Sequence, residues 1–133
     1  MPLSLEIVTP AQRVLTVQCD EVRLPGSEGS FGVRPGHTPL VAALAAGELA
    51  YETGGATHRY SVGEGFAEVS DDRARVLVEE AVRAEDLDAA AIAIDLADRT
   101  KKLGEMKEDD PSYDLERAKV ARSAARALVA GRR

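Results

Sequence analysis

The first 83 residues alternate apolar and polar positions with the period of a β-strand. Leu3, Leu5 and Ile7 stand between polar neighbours, as on a strand with one buried face. Further short runs rich in β-branched residues lie at 14–24, 40–44, 48–52, 57–62, 66–70 and 73–78. Turn residues separate many of them, at Pro25-Gly26, Gly54-Gly55, Gly63 and Asp71-Asp72. Many short strands without intervening helices predict an antiparallel sandwich or barrel.

After residue 85 alanine dominates and the apolar spacing becomes helical. We predict a helix over 87–103, with Asp86 as N-cap, Asp88 in the first turn and Gly104 as the stop. Its apolar face would contain Ala89, Ile92, Ala93, Leu96 and Leu103. A polar loop then leads to a second helix, capped by Ser112 and ending near Ala130. Its apolar stripe would be Val120, Ala121, Ala124, Ala127 and Leu128.

Two helices with a short connection form an antiparallel hairpin. Because alanine buries little area, at about 25 cal/mol per Å², we expect this hairpin to be weakly held. Leu87 and Ile94 lie on another face of the first helix and would make a small contact with the sandwich. The sequence thus predicts two units, a β-sandwich over 1–84 and an α-helical hairpin over 85–133 that can detach.

Composition narrows the class of protein. The chain has 133 residues, a net charge of −6 and a pI near 5.0, which argue against a nucleic-acid binder. A single cysteine, Cys19, excludes an internal disulfide. No apolar run approaches the roughly 20 residues of a membrane span. The N-terminus has Glu6 early and no basic start, so we expect no signal peptide and a soluble, cytosolic chain.

Candidate chemistry is sparse. The only histidines, His37 and His58, are far apart in sequence, and no Cys/His spacing resembles a zinc site. His37 could be a general base, but its Pro and Gly neighbours favour a turn. The Gly-rich stretch 26–32 lacks the lysine of a phosphate-binding P-loop. Acidic pairs at Asp71-Asp72, Glu79-Glu80 and Asp109-Asp110 are interpreted as solvated turns and ends. We therefore predict no catalytic residue and no metal site.

The charge of the second helix is more informative. From residue 112 onward there are six basic and two acidic residues, which leaves the preceding part of the chain at −10. Lys119, Arg122 and Arg126 share one helical face, opposite the predicted apolar stripe. This face is either solvated or binds an acidic protein partner or nucleotide phosphates.

Several motifs resemble one family throughout the chain. The segment 25–40 (PGSEGSFGVRPGHTPL) closely resembles the signature of the epsilon subunit of F-type ATP synthases. Segments 5–10, 63–69 and 114–118 are similar to other parts of that family. The resemblance implies a ten-stranded antiparallel β-sandwich followed by a two-helix C-terminal domain. It also implies a non-catalytic rotor subunit, seated with the gamma subunit on the c-subunit ring, peripheral to the cytoplasmic face of the bacterial inner membrane.

In that family the hairpin folds against the sandwich in one state. In the other it extends along gamma toward the alpha and beta subunits and restrains ATP hydrolysis. The resemblance makes Lys119, Arg122 and Arg126 candidates for contact with acidic beta-subunit surface. His37, inside the longest motif, is a further partner-contact candidate.

Some members of the family also bind ATP through an Ile/Leu-Asp-x-x-Arg-Ala motif. Here Leu87 and Asp88 match, but Ala91 replaces the arginine and Ile92 the alanine. We predict weak ATP binding or none, with Asp88, Arg117 and Arg122 as the candidate residues, and no other cofactor. Two alternatives to an inhibitory rotor subunit stay open: a nucleotide sensor, and a small β-sandwich enzyme or ligand-binding domain with a helical dimerisation tail.

Overall fold

A computed structural model describes residues 2–132 of the chain. Within this range the chain forms ten strands, a single 3₁₀ turn at Ala84–Asp86 and two helices. The strands are β1 Leu3–Val8, β2 Arg13–Cys19, β3 Glu21–Gly26, β4 Gly29–Val33, β5 Leu40–Leu44, β6 Gly47–Thr53, β7 Ala56–Val62, β8 Gly65–Ser70, β9 Arg73–Val78 and β10 Ala81–Arg83. The helices are α1 Ala89–Glu105 and α2 Tyr113–Ala130.

The strands form one continuous sheet that folds over on itself as a nearly closed sandwich. Their order is β10-β7-β6-β3-β5-β8-β9-β1-β2, and β4 pairs with β3. Each pairing between described strands is antiparallel except β1 with β9, which is parallel. The predicted fold class, a mostly antiparallel β-sandwich followed by a helical hairpin, is confirmed.

The apolar side chains that alternate along the first strand form part of the buried core. Leu3, Leu5 and Ile7 of β1 are fully buried, as their alternation predicts. They pack with inward-facing residues of the other strands, among them Val22, Leu24, Val33, Leu49, Val62 and Val76. The predicted turn at Asp71-Asp72 is confirmed by positive φ angles of 51° and 58°, which short polar side chains tolerate.

One feature of the strand prediction is corrected and another is confirmed. The predicted run 14–24 is two strands, because the chain turns at Asp20 between β2 and β3. The Gly-rich stretch 26–32 is a turn and a strand entry, as predicted: residues 27 and 28 form the turn, and β4 begins at Gly29 and pairs with β3 as a hairpin. A run with three glycines carries little apolar periodicity, so its pairing was not visible in the pattern.

The start and end of the first helix are also corrected. Asp88, not Asp86, is the N-cap of α1, and its carboxylate accepts a hydrogen bond from the Ala91 N–H at 3.1 Å. Asp86 instead belongs to the 3₁₀ turn. Gly104 does not stop the helix, which continues to Glu105. Ser112 does precede α2, but its side chain makes no capping hydrogen bond.

The buried faces of the helices differ most from expectation. On α1, Ile92 is buried and Leu96 and Leu103 are half-buried, whereas Ala89 and Ala93 are exposed. Leu87 is buried as expected, but Ile94 is 66% exposed. On α2, three residues of the predicted stripe are exposed: Ala121, Ala124 and Leu128. The buried residues of α2 are instead Glu116, Ser123, Ala125, Val129 and Ala130.

Candidate functional site: the interface between hairpin and sandwich

The hairpin rests on the sandwich through a small apolar cluster that is separate from the core. Its buried members are Ala84, Leu87, Ile92, Val129 and Ala130. Only three of these side chains are larger than alanine. Full burial of each contributes about 1.5–3 kcal/mol, so the apolar part of the contact is limited to several kcal/mol.

Two arginines of α2 bind carboxylates of the sandwich. Arg122 donates from Nε to Oε1 of Glu64 at 2.9 Å and from Nη2 to Oε2 at 3.1 Å. Arg126 donates from Nε to Oε2 of Glu80 at 2.8 Å and from Nη2 to Oε1 at 2.6 Å. Both are bidentate pairs, the geometry in which guanidinium and carboxylate interact most strongly. We call these two pairs, Arg122–Glu64 and Arg126–Glu80, the arginine clamp.

The two carboxylates are carried by neighbouring turns that are bonded to each other. Glu64 lies between β7 and β8, and Glu80 lies between β9 and β10. The Gly63 N–H donates to the Glu80 carbonyl at 2.9 Å, and the Glu79 N–H donates to the Glu64 carbonyl at 3.0 Å. The acidic half of the clamp is therefore positioned by the sandwich backbone.

Protonation states follow from these contacts. The hydrogen bond from Arg122 lowers the pKa of the Glu64 carboxyl, against the opposing effect of burial. The hydrogen bond to Glu64 raises the pKa of Arg122 in turn. Both groups are thus charged at neutral pH. At the end of the chain Arg132 adds an exposed contact, with Nη1 at 3.3 Å from Oε1 of Glu48.

Polar contacts also join the two helices. The fully buried Ser123 hydroxyl donates to Asp95 Oδ2 at 2.9 Å, and Arg99 Nε donates to the same carboxylate at 3.0 Å. The hydrogen bond from Ser123, followed by that from Arg99, lowers the pKa of Asp95 despite burial. Glu116 lies 3.4 Å from Lys102 and 3.5 Å from Lys119. The hairpin is therefore joined by ionic contacts as well as by small apolar side chains.

These contacts explain why the predicted face of α2 was wrong. Arg122 and Arg126 face the sandwich, whereas Lys119 contacts Glu116 of the same helix. With Arg122 and Arg126 paired to Glu64 and Glu80, Ala125 and Val129 are buried, whereas Ala121, Ala124 and Leu128 of the predicted stripe are exposed. Whether the three basic residues also contact a partner protein stays a prediction.

The ATP candidates have separate roles in this structure. Asp88 caps α1, Arg117 is exposed and lies 3.7 Å from Asp114, and Arg122 binds Glu64. No hydrogen bond or ion pair within residues 2–132 joins these three side chains, and ATP binding stays a prediction.

His37 lies in a loop shaped mainly by its backbone. Its N–H donates to the Arg34 carbonyl at 3.1 Å, and its Nδ1–H donates to the Thr38 carbonyl at 2.7 Å. The preceding residue, Gly36, has a positive φ of 84° and donates to Asp72 Oδ1 at 2.6 Å. These contacts agree with a turn role for the motif, and a partner contact at His37 stays a prediction.

Glu64 and Glu80 are the site residues that sequence reasoning missed. From the sequence, the Glu79-Glu80 pair is interpreted as solvated and Glu64 is not singled out, and the charge imbalance between the acidic part of the chain and the basic last helix is related only to a partner. The same imbalance indicates an attraction between the two parts of the chain itself.

Among residues 2–132, no group of three or more His, Cys, Asp or Glu residues is arranged to hold a metal ion. Neither helix in that range combines the length and apolar character needed to span a membrane.

Comparison with known proteins identifies the family. The model described as "ATP synthase, Delta/Epsilon chain, beta-sandwich domain" matches residues 2–84. The ATP synthase epsilon chain of Anaeromyxobacter sp. (strain K) is 47% identical over 132 residues, covering 99% of this chain and 100% of that protein. The epsilon chain of Nitratidesulfovibrio vulgaris (strain DP4) is 45% identical over 127 residues, or 96% of this chain and 91% of that one.

Solved structures agree with the sequence relatives. A chain in the cryo-EM structure of the Euglena gracilis mitochondrial ATP synthase (OSCP/F1/c-ring) has a TM-score of 0.78 and 25% identity, covering 99% of this chain and 82% of that chain. A chain of the Tetrahymena thermophila central stalk and c-ring, at 12% identity and a TM-score of 0.66 over 98% of this chain and 97% of that one, shares the fold. The chain belongs to the epsilon-chain family of ATP synthases.

Proposed function

We propose that this chain is a non-catalytic subunit of the central stalk of an F-type ATP synthase. It would bind the gamma subunit and the c-subunit ring through its sandwich and couple ring rotation to ATP synthesis. The full-length similarity to epsilon chains carries this proposal, supported by the Euglena chain solved with F1 and a c-ring. In a bacterial cell the complex would hold the chain at the cytoplasmic face of the inner membrane, attached peripherally.

The helical hairpin would restrain ATP hydrolysis by leaving the sandwich and extending along gamma toward the alpha and beta subunits. The small apolar cluster and the clamp support this role, because release exposes little apolar area and leaves charged groups that water or another protein can solvate. The 18 residues of α2 span about 27 Å, and α1 adds about 25 Å. An extended hairpin is therefore long enough to connect the base of a stalk with a catalytic head.

The test compares ATP hydrolysis by the purified complex containing the full chain with one containing residues 1–85 only. We expect the truncated chain to assemble and hydrolysis to rise. A complex reconstituted without the chain is the control for assembly. Unchanged hydrolysis would contradict the restraint, and failure of the truncated chain to assemble would contradict the separate roles of sandwich and hairpin.

A further inference from the structure

We propose that Glu64 and Glu80 determine how often the hairpin is released, because they occupy the arginines that an acidic partner would bind. The inference rests on the proposed inhibitory role of the hairpin and adds the intramolecular competitor. In the docked state Arg122 and Arg126 are unavailable to a partner. In the released state the same two guanidinium groups are free.

The geometry favours this exchange. Arg122 and Arg126 are four residues apart, so they project from one side of α2 about one turn apart. Glu64 and Glu80 match that spacing because backbone hydrogen bonds hold their two turns together. Each arginine gives both donors of one edge to a single carboxylate. Carboxylates on a protein partner can accept hydrogen bonds from the same paired donors. The sandwich and an acidic surface would therefore compete for the same two arginines.

Partial burial makes the competition effective. The Arg122 and Arg126 side chains are 20% and 29% exposed when docked, so neither can bind a second carboxylate fully. If Glu64 and Glu80 were neutral, docking would bring two guanidinium groups to the sandwich without their ionic partners. A partly buried and unpaired charge is unfavourable, and the helix would be released more often.

Neighbouring charges do not replace the lost carboxylates. Asp95 of α1 is already bonded to Ser123 and Arg99. Glu79, beside Glu80, is exposed and attracts Arg122 only at a distance. The two clamp carboxylates are therefore the specific partners whose removal should shift the equilibrium.

The first experiment uses the isolated full chain. Dyes at S70C on the sandwich and A124C on the exposed side of α2 report their separation by energy transfer, and Cys19 is buried. The variant Glu64→Gln with Glu80→Gln should raise the ratio of released to docked hairpin by about tenfold, as expected for two partly exposed bidentate pairs. The control, Glu28→Gln with Glu68→Gln, removes the same number of charges at exposed positions away from the clamp and should leave the ratio unchanged. Circular dichroism checks that both variants keep the sandwich.

The second experiment places the same variants in the ATP synthase complex. With Glu64→Gln and Glu80→Gln, the arginines remain and lose their competitor, so ATP hydrolysis should fall below that of the control variant. No change in energy transfer on the isolated chain would overturn the inference. So would unchanged hydrolysis in a complex whose activity rises on hairpin truncation. If truncation itself has no effect, the inhibitory role fails, and the energy-transfer result alone decides whether Glu64 and Glu80 hold the hairpin.

Discussion

The interior of the sandwich and the surface beneath the hairpin are joined by different forces. Leu3, Leu5 and Ile7 belong to a continuous apolar core in which their side chains are fully buried. The hairpin interface combines a few apolar side chains with bidentate ion pairs. Apolar burial loses its full contribution when the surfaces separate, whereas charged groups regain water or another partner. The core of the sandwich is therefore suited to stay closed, whereas the hairpin interface is suited to open and form again.

The largest expected effect is in the core. Leu5→Ala removes a fully buried side chain and should lower the free energy of unfolding by about 2–5 kcal/mol. Urea unfolding followed by circular dichroism in the strand region measures it. The control Val41→Ala, at a position 72% exposed, should change stability by less than about 0.5 kcal/mol. A similar loss in both variants would contradict the described core.

A smaller and local effect is expected at the clamp. Replacing Arg122 and Arg126 by alanine should weaken docking by about 1–2 kcal/mol, because two partly exposed bidentate pairs are lost. The urea midpoint of the sandwich should stay within error, while energy transfer shows release. Loss of sandwich stability on the scale of Leu5→Ala would show that the regions are not separable.

In the complex, the same arginine variant distinguishes docking of the hairpin on the sandwich from binding of the two arginines to an acidic partner. It frees the hairpin but removes the groups that would bind an acidic partner, so inhibition of ATP hydrolysis should weaken. Glu64→Gln with Glu80→Gln should strengthen it. Changes in the same direction would contradict competition for shared arginines.

Acid should loosen the hairpin before it affects the apolar core. When the hairpin is docked, the hydrogen bond from Arg122 lowers the pKa of Glu64. The resulting stabilisation of the docked state is fully present above the ordinary Glu pKa of 4.5, and it is lost as the pH falls through the lowered pKa. The pKa of Asp95 is also lowered, so its stabilisation of the contact between the two helices is lost as the pH falls below the ordinary Asp pKa of 3.8. Energy transfer from pH 7 to 3 measures release, and Glu64→Gln should show a smaller change. An equal change in both chains would exclude Glu64 as a contributor.

ATP should have the smallest effect. Because Ala91 supplies no cation and Arg122 already binds Glu64, millimolar ATP should not raise the thermal midpoint of the isolated chain. Calorimetric titration provides an independent measurement. Micromolar affinity would favour the nucleotide-sensor alternative.

Sequence reasoning succeeded where one residue type determines local geometry. Alternation identified β1, and Asp71-Asp72 identified a turn with positive φ. It failed for the orientation of α2, because alanine is compatible with both solvent and a shallow contact. The decisive interactions join Arg122 and Arg126 to carboxylates 58 and 46 residues earlier in the chain. The spacing of residues within one helix gives no information about partners so far away in the sequence. The docked face of α2 could therefore be identified only after the fold showed where Glu64 and Glu80 lie.

The hydrogen bonds between the Glu64 and Glu80 turns also limit where α2 can settle. Since the two carboxylates keep a fixed separation, sliding the helix along its axis by one turn would bring Arg126 to Glu64 and leave Glu80 facing Ala130. Sliding it the other way would bring Arg122 to Glu80 and Ala118 to Glu64. Either displacement loses one of the two ion pairs completely. A helix that docks again therefore has one favoured position along its axis, and the positions one turn away are less stable.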